Sequence, residues 1–90
     1  MFSLMTPTWI YPSELQEALA GFGLAPTGDT PPILVRDALS DLYRYELRRM
    51  REQLRAGAIL KEHYIDRVIA LRKRYWPLSL QPDAWEKICR

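Results

Sequence analysis

Apolar residues recur along most of this chain at steps of three and four, the spacing that builds one face of a helix. Leu15, Leu19 and Phe22 fall at i, i+4 and i+7. Ser13 and Gln16 match a capping box ahead of that stripe. Gly23 stands where a left-handed residue closes a helix, and Leu24 where such a closure returns to touch Leu19. The pattern predicts a first helix over about 13–22. Residues 25–30 (APTGDT) read as a loop. Thr30 is placed as an N-cap and Pro31 at the first helical position, where its missing N–H costs nothing. A second helix should run over about 31–56 and end at Gly57. A third should cover about 61–76 and stop at Pro77. A short last helix over about 82–88 follows Pro82 and puts Trp85 and Ile88 on one side. No strand-like alternation competes, so the expected class is all-α.

The connection over 58–60 is short enough to make the second and third helices antiparallel neighbours. Facing positions in such a hairpin sum to a constant, here about 118. Leu54 then faces Tyr64, Met50 faces Val68, Leu47 faces Leu71 and Tyr43 faces Tyr75. The same register pairs Glu46 with Arg72. Each sits among apolar positions, and a lone buried charge is costly, so an interhelical Glu46–Arg72 ion pair is expected. Arg49, three residues from Glu46, is the competing partner, and a carboxylate–guanidinium ligand site is the functional alternative.

Residues 1–12 are apolar but irregular, broken by Pro7 and Pro12. They are expected to pack back on the domain or on a partner. The apolar arc of the second helix, widened by Leu34, Ala38 and Tyr45, exceeds what the third helix covers. Either the flanking segments or a second copy of the chain would cover the rest, and a homodimer is expected. All 90 residues are read as one small domain, whose ten aromatics fit a dense core or an interface.

Charge changes this picture only in its distribution. The net charge is +2. Residues 1–35 hold three acids and no Lys or Arg, whereas 36–90 hold all 13 basic residues and eight acids. A basic later part hints at an anionic partner. One Cys and one His exclude an intrachain disulfide and a Cys/His zinc cluster. The first residues lack the basic start of a signal peptide, and no run reaches the ~18 apolar residues of a membrane span. A cytoplasmic location without membrane contact is expected, with Cys89 frayed and exposed near the end of the chain.

Candidate chemistry is sparse. No nucleophile-elbow, P-loop or dinucleotide fingerprint is present. His63 is expected on the polar side of the third helix. The acid pairs Glu14/Glu17, Asp37/Asp41 and Glu62/Asp66 lack the further ligands a metal would want. Neither catalysis nor a cofactor is expected. The strongest feature is a basic stripe: Arg44, Arg48, Arg51 and Arg55 at i, i+4, i+7 and i+11. Such a row could track a phosphate backbone, although Asp41 and Glu52 stand close enough to pair with it. The first functional expectation is a non-catalytic protein–protein interaction module, an adaptor or accessory subunit. The second is a small nucleic-acid-binding protein that uses the arginine stripe.

Overall fold

Residues 9–90 are described by the computed structural model. Their helices run α1 (Ser13–Ala20), α2 (Pro32–Arg55), α3 (Lys61–Arg74), a 3-10 turn (Trp76–Ser79) and α4 (Pro82–Ile88). The fold is all-α. α2 packs against α3 as the long arms of an antiparallel hairpin, and also against α4 and the 3-10 turn. The apolar segment foreseen over 1–12 lies partly outside the described residues.

Proline decides where three of these helices begin or end. A residue that precedes proline is pushed out of the helical region, so Pro31 is extended and α2 starts at Pro32. Gln81 is likewise extended, and α4 starts at Pro82. The expected cap at Thr30 therefore does not form. Its hydroxyl instead accepts the Thr27 N–H at 3.1 Å. Pro77 has no N–H to continue the ladder, so α3 stops at Arg74, two residues earlier than expected, and the chain tightens into the 3-10 turn. Ser13 is already helical, with Pro12 at the N-cap, so the capping box foreseen for α1 is not used.

Both predicted glycine closures are present. Gly23 and Gly57 have φ of +79° and +78°. At the first, Leu24 N–H reaches Leu19 C=O at 3.0 Å and Gly23 N–H reaches Ala20 C=O at 3.0 Å. At the second, Ala58 N–H reaches Gln53 C=O at 2.8 Å and Gly57 N–H reaches Leu54 C=O at 3.1 Å. Each pair satisfies carbonyls that a helix end would otherwise leave unpaired.

The core gathers at the first half of α2. Val35 and Leu39 meet Tyr11, Leu15 and Leu19 from the N-terminal side, Leu71 and Tyr75 from α3, and Trp85 and Cys89 from the C-terminus. Trp85 is fully buried, and its indole N–H donates to the Pro77 carbonyl at 2.9 Å. The segment before α1 is tied to the C-terminal residues and to the loop before α2: Ile10 N–H donates to the Cys89 carbonyl at 2.7 Å, and the Tyr11 hydroxyl to the Thr30 carbonyl at 2.6 Å. Arg36 reaches across to the Leu78 and Leu80 carbonyls, which the 3-10 turn leaves free. α1, α4 and residues 9–12 thus cover the length by which α2 outlasts α3. Cys89 is 0% exposed, contrary to the expectation of a frayed end, because α4 turns it into this core.

Among the described residues the far half of the hairpin has no such cover. Between residues 48 and 70 only Ile59, in the turn, is buried. α2 and α3 meet there through half-buried Met50, Leu54, Tyr64 and Val68.

Candidate functional site

Two features of the hairpin concentrate polar chemistry, one on each side of its seam. The first is a junction at Tyr75. Its ring is buried in the seam, 4.2 Å from the Phe22 ring and 5.1 Å from the Tyr43 ring between centroids. The second of these contacts is one that the antiparallel register anticipates. The Tyr75 hydroxyl donates to the Glu46 carboxylate. Burial, and then that hydrogen bond and the carboxylate's charge, push the phenol well above its usual pKa. Arg74 closes the junction from α3. It lies 3.6 Å from Glu46, 4.7 Å over the Phe22 ring, and donates to the Gly21 carbonyl at 3.3 Å.

Glu46 therefore finds an interhelical partner, but the partner is not Arg72. Arg72 is exposed and makes no ion pair with Glu46. The reason is angular. The seam of α3 is centred on Tyr64, Val68, Leu71 and Tyr75, and at about 100° per residue Arg72 points some 70° to one side of it. Arg74 points to the other side, where Glu46 is. The Glu46–Arg72 pairing is corrected accordingly, and Arg74 takes that place in the junction. A carboxylate held by a phenol and a guanidinium has neither an imidazole nor a second acid beside it. His63 is exposed in the first turn of α3.

The second feature is the opposite side of the seam. Arg44, Arg48, Arg51 and Arg55 are all exposed. Arg44 lies 3.7 Å from Asp41, while Arg48, Arg51 and Arg55 have no ion-pair partner among the described residues. Glu52 does not pair with the row as anticipated. The position of the row relative to α3 follows from the junction. Glu46 and Arg74 meet across one side of the seam. Arg51 lies about 140° round α2 from Glu46, and Ile65 about 180° round α3 from Arg74. Both therefore flank the other side.

On that side α3 presents Ile65, Ile69 and Arg72 at i, i+4 and i+7, the same spacing as the first three arginines, and Trp76 follows in the 3-10 turn. Ile65 is 58% exposed, Ile69 47% and Trp76 37%. An apolar row on α3 thus runs beside a guanidinium row on α2. The pattern of α3 contained this second exposed stripe, beside the wide apolar arc of α2 from which an interface was expected.

Five surface hollows among the described residues hold roughly 210–270 Å³ each, below the ~300–1,000 Å³ of small-molecule pockets. One is lined by apolar groups including Leu24, Leu34, Val35 and Ala38. No group of three or more His, Cys, Asp or Glu side chains is placed to hold a metal among the described residues. No helix among them is long and apolar enough to cross a membrane. Cys89 is buried and its thiol is pushed up by that burial, which disfavours the reactive thiolate. Comparison with protein-family models, curated proteins and solved structures finds no match for the chain.

Proposed function

We propose that this chain is a non-catalytic interaction module, an adaptor or accessory subunit, that binds another protein through the far half of its α2–α3 hairpin. The observation that carries this reading is the exposed pair Ile65 and Ile69, one turn apart on α3, on a part of the hairpin that no other element covers among the described residues. Isolated apolar side chains on a surface need no explanation, but exposed isoleucines stacked one turn apart on a helix are the form in which helical interfaces present themselves. The base of the hairpin supports the reading from the other side. Tyr11, α1, α4 and Cys89 pack into a core there.

The test is a selection of displayed amphipathic helical peptides against the full chain in high salt, where apolar burial persists and charge attraction is screened. Clones should bind the native chain and fail to bind an Ile65→Ser, Ile69→Ser variant. A selection that yields no clone dependent on these two residues would overturn the reading.

A second reading, binding of nucleic acid along the arginine row, is favoured by the three guanidiniums that lack a carboxylate partner. It requires affinity for duplex or single strands at low salt that falls steeply as salt rises. Arg48→Glu with Arg51→Glu should abolish that binding and leave the helical signal intact.

A further inference from the structure

Resting on the interaction reading above, we infer that the partner is an acidic amphipathic helix, which lays its apolar stripe on Ile65, Ile69 and Trp76 and its carboxylates along Arg48, Arg51, Arg55 and Arg72.

The two rows together constrain what one occupant must present. Both have the repeat of a helix face, and they sit on neighbouring antiparallel helices. The axes of those helices are about one interhelical spacing apart, 8–10 Å. A single helix lying over the seam reaches both rows, provided its own apolar stripe is bordered by acids on one edge. Charge fixes the sign of that edge. Five arginines line this side of the hairpin, and only Arg44 is neutralised by a carboxylate of the chain itself. Arg–carboxylate contacts supply the orientation, since guanidinium and carboxylate meet in a bidentate geometry.

Area sets the size of the occupant. The exposed parts of Ile65, Ile69 and Trp76 amount to on the order of 300 Å². A stable dimer usually buries about 800 Å² on each partner. The row is too small for that and suits one helix. A second copy also fails on charge, because face-to-face pairing would bring arginines against arginines or isoleucines. Nucleic acid would use the guanidiniums and leave the isoleucines against water or phosphate, where they gain nothing. A lipid surface could take up both rows, and the vesicle arm of the experiment below distinguishes it from the acidic helix.

The experiment uses the full chain and two labelled helical peptides with the same leucine stripe, one bordered by glutamates and the other by lysines. Fluorescence anisotropy at low salt should give at least about tenfold tighter binding of the glutamate peptide, a preference reduced by added salt. The Arg48→Glu, Arg51→Glu variant should reverse the preference, and Ile65→Ser with Ile69→Ser should weaken both peptides. Circular dichroism checks that these surface variants stay folded. Equal binding of the two peptides overturns the acidic partner and leaves the interaction module standing. Binding of neither peptide overturns both. A duplex oligonucleotide, or a vesicle of phosphatidylserine and phosphatidylcholine, that binds more tightly than the glutamate peptide also overturns the inference. Insensitivity of that binding to the isoleucine changes would assign the arginines to phosphate.

Discussion

Removing Glu46 tests how the hairpin is locked, because it separates two partners the structure assigns from one it denies. The Tyr75 hydroxyl donates to the carboxylate from a ring that is 3% exposed. A hydrogen bond to a charged group is worth about 1.5–3 kcal/mol. The Glu46 side chain is 34% exposed, so water offsets part of that, and a coupling of roughly 1–2 kcal/mol is expected. Arg74 is 53% exposed and sits at 3.6 Å, so its coupling should be at most about 0.5 kcal/mol. Arg72 should couple by nothing measurable. The assay is a set of double-mutant cycles, Glu46→Ala with Tyr75→Phe, Arg74→Ala or Arg72→Ala, read from urea unfolding at neutral pH. A coupling to Arg72 of about 1 kcal/mol or more, or none to Tyr75, would refute the assignment.

Three further outcomes follow from the same coordinates. Burial, with a smaller contribution from Cys89, raises the Tyr11 phenol to about 12, so the folded chain holds this proton more tightly than the unfolded one. That stabilisation is complete below pH ~10 and is lost as pH rises towards 12, a fall of about 2–3 kcal/mol that Tyr11→Phe should flatten in alkaline unfolding curves. Cys89, buried and with a raised pKa, should react with an aromatic disulfide reagent only as fast as the chain opens, and rapid labelling at native pH would contradict its burial. Gly57→Ala should cost about 1–2 kcal/mol in thermal or urea unfolding. An added Cβ meets nothing within 4 Å, so only the left-handed backbone is strained.

Much of this fold was legible from local rules. The glycine closures, the start of α4 at Pro82 and the Tyr43–Tyr75 contact all follow from backbone chemistry or antiparallel register, whereas the cap expected at Thr30 gave way to a start at Pro32. The errors share a cause, which is that a helical wheel shows a face but not its edges. Glu46 and Arg72 both looked half-buried on their own wheels, yet they lie on opposite sides of the seam. Only the position of the seam, set by tertiary packing, shows this. Cys89 depended on where α4 docks, and no local rule encodes that. Exposure of the arginine row was readable from its spacing. Its place beside Ile65 and Ile69 required knowing which side of the seam each row occupies.

The most direct test of the central claim is amide chemical-shift mapping of the full chain during titration with the glutamate-bordered peptide. The account expects the largest shifts at Arg48, Arg51, Ile65, Ile69 and Arg72, with α1 and α4 unmoved. Shifts centred instead on Leu24, Leu34 and Ala38, or spread evenly with no saturation, would contradict it.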